Sequence, residues 1–281
     1  QVAFSAAAEQ GFEAGGHGVL KGGSAWMPDN QINGVDFVLP FRFSEGAWQL
    51  GTRGPISLRI AEVVNQVTVK NITADLQGGY PWSEDNPLLL SDVSADLLGG
   101  KVVMQQLRMP QHDPALVRVQ NISSSELISA VNPKQFAMSG PVSGALPLWL
   151  NNEKWIIKDG WLTNPGPMTL RIDKDTADAV VKDNMAAGAA INWLRYMEIT
   201  HSWTKINLDN LGVLTMQAAV TGNSRVDGKV GTVNLNYTHE ENVFTLWRSL
   251  RFGDNLQAWL EQNAALPETH CLEGKECEEQ Q

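Results

Sequence analysis

The chain has little cysteine, little tyrosine, no clustered positive charge and no long hydrophobic run. Two cysteines occur in 281 residues, Cys271 and Cys277. Such scarcity suits an oxidising compartment, where stray thiols are a hazard. The pair is read as a small disulfide loop stapling an acidic tail. Free thiols and a metal pair with His270 stay open as alternatives, although zinc normally takes four ligands and the neighbours are glutamates. Formal net charge is −10, and no Lys/Arg cluster exceeds two. Nucleic acid needs a basic track, so nucleic-acid binding is excluded. A polybasic hold on an anionic bilayer is excluded for the same reason. The longest weakly polar run, Met185 to Leu194, contains Asn192 and falls below the ~20 residues that span a bilayer. Gln1-Val2-Ala3-Phe4 already reads as a strand, so any secretion or anchoring signal is expected in sequence outside this chain, which reads as a fragment.

Catalytic motifs are missing too. There is no Gly-x-Ser-x-Gly elbow, phosphate loop or dinucleotide fingerprint. The five histidines, at 17, 112, 201, 239 and 270, are scattered; His201 and His239 fall on strands that could be neighbours, but neither is paired in sequence with a carboxylate or cysteine at ligand spacing. Asp173, Asp175 and Asp178 resemble part of a calcium loop but lack its glycine and closing glutamate, so helix capping is the better reading. No catalytic residue, cofactor or metal is expected.

What is present is apolar and β-prone. Apolar residues make up 43%, with ten tryptophans against three tyrosines, and tryptophan is common where an apolar wall meets water or lipid. From Ile32 to Phe43, Val35, Phe37, Leu39, Phe41 and Phe43 alternate with Asp36 and Arg42, the period of a strand. Pro40 cannot donate to a ladder, so an edge or a bulge is expected there. Further strands are predicted at 48–50, 56–62, 67–76, 88–98, 101–109 and 116–121. On the strand from Leu88, the residues Leu89, Val93, Ala95 and Leu97 are placed on one side. Gly15-Gly16, Gly22-Gly23, Gly78-Gly79 and Gly99-Gly100 are read as turns between strands. A helix is predicted over 173–197, strands at 198–208, 213–221 and 230–238 with turns at Gly222-Asn223 and Asp227-Gly228, and a second helix over 242–263.

The stretch from Ser139 to Arg171 is the most distinctive. Gly140 and Gly144, Asn151-Asn152, Asp159-Gly160, and Asn164-Pro165-Gly166-Pro167 give four turn signals in about thirty residues, with short β-prone runs between. This order, together with the Leu97-Leu98-Gly99-Gly100 turn and the strands that follow it, resembles the AsmA-like proteins of the Gram-negative envelope. The likeness lies in their TamB and YdbH group, most of all the C-terminal part of the YdbH branch, and covers roughly residues 60 to 260.

The resemblance implies a long twisted antiparallel sheet curled into an open groove, with two helical segments near the C-terminus. Residues 1–171 would form the groove, 172–264 its cap or mouth, and 265–281 an acidic tail. It also implies a non-enzymatic role in a periplasm-spanning bridge that carries phospholipid between the inner and outer membranes. The implied partner is a small outer-membrane lipoprotein, YnbE-like, added as a strand. Candidate groove residues are Val35, Phe37, Leu39, Phe41, Leu89, Val93, Leu97, Val103, Leu107, Val117 and Val119. Candidates for the partner edge are Val213, Thr215, Val230, Val233 and Leu235. A closed sandwich fits the alternation equally well. As to function, a carbohydrate-binding or carbohydrate-active β domain and a structural envelope-assembly protein remain the other readings.

Overall fold

The computed structural model describes residues 1–8, 11–27, 30–65, 67–131, 136–175, 177–178 and 191–243. Among the described residues sixteen strands form one antiparallel sheet. In chain order they are β1 (Val2–Ala7), β2 (Glu13–Met27), β3 (Asn30–Ser44), β4 (Ala47–Leu50), β5 (Ile56–Val64), β6 (Thr68–Tyr80), β7 (Leu88–Leu97), β8 (Gly100–Met109) and β9 (Ala115–Ser123). Then come helix α1 (Ser124–Val131), β10 (Phe136–Ser139), β11 (Pro141–Leu148), β12 (Trp155–Thr163), β13 (Met168–Ile172), β14 (Tyr196–Asp209), β15 (Val213–Val226) and β16 (Lys229–Asn242). Among the described residues the sheet does not close into a barrel: β1 and β16 pair on one side only, as does the short β10, which pairs with β13.

Neighbours in the sheet are mostly neighbours in sequence, as expected of a meander. Three sheet positions are filled by broken strands. β4 and β5 lie end to end between β3 and β6, and β10–β11 runs beside β12–β13 in the same way. Pro40 explains the first break. It sits in a central strand, between Val38, the last β3 partner of β5, and Phe41, the first partner of β4. Its carbonyl instead accepts from Gly51 N at 2.9 Å.

Several glycine signals mark positions inside strands rather than turns. Gly15-Gly16 and Gly22-Gly23 lie within β2, Gly78-Gly79 within β6, Asp159-Gly160 within β12 and Gly222-Asn223 within β15. At Gly222 a Cβ would meet Glu198 O at 2.3 Å, so this glycine allows close strand approach. Asp227-Gly228 is a true hairpin turn, with both φ values positive (51° and 77°).

Mid-strand residues in the left-handed region bend the sheet. Asn71, Asp92, Asn121 and Asp159 have φ near +50°, a conformation that short Asx side chains tolerate best among non-glycine residues. Each lies beside a register shift in one ladder, β6–β7 for Asn71 and Asp92, β9–β11 for Asn121 and β12–β14 for Asp159, while the β5–β6 and β7–β8 ladders stay in register. A bulge inserts one extra residue on one strand, bends it and increases local twist. Neighbouring strands pin these kinks. Asn71 Nδ2 donates to Asp96 Oδ2 at 2.8 Å, Thr73 Oγ1 donates to Asp92 O at 2.6 Å, and Asn207 Oδ1 accepts from Asp159 N at 2.8 Å.

The strand pattern did not announce α1. Ser123 Oγ accepts from Glu126 N at 3.3 Å, which caps its first turn. Of the helix predicted over 173–197, helical backbone is described at 174–175, 177–178 and 191–194; Tyr196 and Met197 already belong to β14. The second predicted helix, apart from its first residues, and both cysteines lie outside the described residues.

Candidate functional site

Residues directly opposite in an antiparallel ladder share a face, so the registers trace two continuous surfaces. Phe37 lies opposite Leu20 and Leu58, Leu39 opposite Gly18, and Phe41 opposite Gly16 and Leu50. Val35 pairs with Gly23 and Ile60, and the row continues through Ile60–Ile72, Leu58–Ala74 and Ile56–Leu76. Leu90, Val93, Met104, Leu107, Met109, Ala115, Val117 and Leu148 then gather in one cluster. Val119 sits opposite Val102 and Gly144, and Leu97 opposite Val69. The face continues across β14 and β15, where Ile206 lies opposite Met216 and Leu208 opposite Leu214, with Ser202 and Thr204 as polar members of the row.

The other face carries the charged pairs, with apolar side chains such as Val38, Leu116 and the stacked Trp161 and Trp203 scattered among them. Arg59 Nη1 meets Asp75 Oδ1 at 2.8 Å, and Lys205 Nζ meets Asp159 Oδ1 at 2.9 Å. Glu62–Lys70 and Asp96–Lys101 follow at 3.8 and 3.4 Å. The hydrogen bond from Lys205 holds the Asp159 carboxyl below its ordinary range, and that from Asn71 does the same for Asp96. On the apolar side, burial pushes the Tyr237 phenol up.

The two faces also differ in exposure. On β16, Val233 is buried and Leu235, Tyr237 and His239 are half-buried, while Thr232, Asn234, Asn236 and Thr238 are exposed. All the strands belong to one sheet, so no second sheet produces this difference. A curl that makes side chains converge on the concave side does. The wall is not sealed along its length. On β3 to β6, Phe37, Leu39, Phe41, Leu58, Ile60, Ile72 and Leu76 are all partly buried and none fully so, and Leu20, opposite Phe37, is 49% exposed. Buried clusters lie further along. One centres on Met104, Leu107 and Ala115, and another on Met168, Met197, Ile199 and Val233 with Trp193 and Leu194 packed against it.

Two of the eleven predicted groove residues fall on the opposite face. Leu89 lies across from Gln77 and Arg108, and Val103 from Ser94 and Arg118. Strict alternation fails here because left-handed Asp92 reverses the side-chain order of β7, and exposed Gln105 and Gln106 do so on β8. The groove face also includes Leu58, Ile60, Ile72, Ala74, Leu76 and Met104, which were not singled out; the alternation in Ile56–Ile60 and Ile72–Leu76 was their signal. At the partner edge, β15 is paired on both sides, so Val213 and Thr215 have no open ladder. Val230, Val233 and Leu235 lie on β16, the last strand of the sheet.

No group of metal-ligating side chains occurs among the described residues, and no described helix is long and apolar enough to cross a membrane. An open curled sheet with a charged convex face and an apolar concave face defines a β-groove protein. The chain belongs to the YdbH-like family, described as intermembrane phospholipid transport protein YdbH, which it matches over residues 1–265. It is 82% identical, over its whole length, to the probable phospholipid transport protein YdbH of Escherichia coli (strain K12). The chain spans 32% of that relative's length. No solved structure matches it.

Proposed function

We propose that this chain is one stretch of a non-enzymatic conduit that carries phospholipid between the inner and outer membranes, with the concave apolar face as the path. The observation that carries this reading is the continuous apolar face running from β2 to β15, left only partly buried on β3 to β6. Twelve ladder steps separate β1 from β16, which at about 4.8 Å each makes a path of about 60 Å. Each methylene taken from water contributes ~0.8 kcal/mol, so two acyl chains are held by area alone, and a wall of uniform chemistry lets them slide. The printed name of the Escherichia coli relative supports phospholipid as the cargo. The surroundings would be the periplasm, with any anchor elsewhere in the longer protein. Among the described residues β16 has a strand partner on one side only, β15, and strand addition by a small YnbE-like outer-membrane lipoprotein is assigned to its other side, since a sheet edge offers a template for pairing.

Photo-crosslinking residues placed in cells test the path. At Phe37, Leu97 and Val117, on the groove face, they capture phospholipid. At Val38 and Leu116, on the convex face, they do not. Equal capture on both faces, or none on the groove face, contradicts the proposal.

A further inference from the structure

The groove's two long lips differ in chemistry. At one end of β2 to β6 the apolar face finishes in aromatic side chains. Phe43 lies opposite Trp48, and Trp48 opposite Tyr80, so all three share the face of Phe37 and Phe41. Ring centroids are 5.7 Å apart for Phe12–Phe43, 5.8 Å for Phe41–Trp48, 5.0 Å for Phe43–Trp48 and 5.7 Å for Tyr80–Trp82. Four of these side chains stay open to solvent: Phe12 at 58%, Trp48 at 40%, Tyr80 at 51% and Trp82 at 41%.

The rim is also built to hold its shape. The 81–87 loop that carries Trp82 is tied back by Gly79 N to Pro87 O at 3.2 Å and by Ser83 N to Asn86 O at 3.1 Å. Arg108 Nη2 adds a bond to Glu84 O at 3.1 Å. At the far end of the same strands the face runs out through Ile32, Val63, Val69 and Leu97, which are ladder partners in sequence and all aliphatic. Trp26, near that end, pairs with Gln31 and so lies on the other face from Ile32.

Phe41 and Phe43 inside with Trp48, Tyr80 and Trp82 further out is the order of an apolar-to-water boundary, and Phe12, without a polar handle, stands exposed beside them. The indole N–H and phenol O–H remain wet while the ring stays in hydrocarbon, as in the aromatic belts at bilayer surfaces. These are hairpin ends without a free ladder, so a protein strand has nothing to add to. From Phe43 to Val35 the wall measures about 26 Å, against about 15 Å for one leaflet of hydrocarbon.

We propose that the Trp48–Tyr80–Trp82 rim seats the glycerol-ester and headgroup region of a bound phospholipid, its acyl chains entering from this lip and running towards Ile60 and Ile72. The assignment rests on the phospholipid reading above and adds an orientation to it. The test uses two phosphatidylcholine probes, one with a diazirine in the headgroup and one with it at an acyl terminus. Each is loaded into the full-length chain, and adducts are mapped by mass spectrometry. The headgroup probe labels residues 43–50 and 79–83 about fivefold more than 26–33 and 62–70, and the acyl probe labels the wall around Ile60 and Ile72. Labelling of both lips equally by the headgroup probe, or preference for the aliphatic lip, overturns the orientation while leaving the conduit standing. No groove-face adduct from either probe overturns the conduit itself. Trp48→Phe with Tyr80→Phe keeps the rings and removes two polar handles. Headgroup labelling at this lip then falls about threefold with acyl labelling retained, and unchanged headgroup labelling counts against the rim.

Discussion

Between β3 and β6 the concave face leaves Phe37, Leu58 and Ile72 only partly buried, whereas at β13 and β14 the same face holds Met168, Met197 and Ile199 buried. The two regions share the apolar alternation and differ in what lies over it. Near β14 the segment preceding the strand lays Trp193 and Leu194 on the sheet. A Cβ at Gly231 would meet the Trp193 ring at 2.6 Å, so β16 has a glycine where the indole sits. No such cover lies on β3 to β6 among the described residues. One end of the groove face is therefore a small core, and the other is a wall.

The comparison is broken most readily by truncating a side chain in each region. Met197→Ala removes a side chain with no solvent exposure and is expected to lower stability by about 2–5 kcal/mol, the range for buried large-to-small changes. Phe37→Ala, at a side chain that is only partly buried, is expected to lose less than Met197→Ala, because less area returns to water. Denaturant midpoints decide it, and equal losses would mean that the wall is packed as tightly as the core.

A smaller effect is expected at the bends. Asn71→Val places a β-branched residue at φ 51° and is expected to destabilise by about 1–2 kcal/mol. Asn71→Gly, free of that strain, recovers most of the loss. If the two variants melt together, left-handed backbone at Asn71 does not shape the sheet. The smallest expected effect is electrostatic. The Asn71 hydrogen bond holds the Asp96 carboxyl below its ordinary value of 3.8. A depressed folded value means that the stabilisation is present above that pH and is lost as pH falls through the lowered folded value. Asn71→Gly returns the Asp96 titration, followed by NMR, towards 3.8; an unmoved titration removes the pin.

Much of the sheet could be read directly, because period-two runs such as Val35 to Phe43 need only one buried face to show themselves. The bends could not. Asx and glycine residues write turns and mid-strand bulges with the same letters, so Asp159-Gly160 and Gly78-Gly79 look like hairpins until the ladder runs through them. Each unseen bulge also reverses the faces beyond it, which is why Leu89 and Val103 leave the row that strict alternation gave them. The break opposite Pro40 was foreshadowed by its missing N–H. The aromatic rim was not, since Phe12, Trp48, Tyr80 and Trp82 come together only through pairing of distant strands.

The claim under all of this is that hydrocarbon occupies the concave wall. Native mass spectrometry of the full-length protein purified from membranes tests it with two paired variants. Leu58→Glu with Ile72→Glu charges the wall, and Ser57→Glu with Thr73→Glu charges the convex side of the same two strands. The account predicts co-purifying phospholipid in the wild type and the convex variant and its loss from the wall variant. Phospholipid retained by the wall variant, or absent from the wild type, would contradict it.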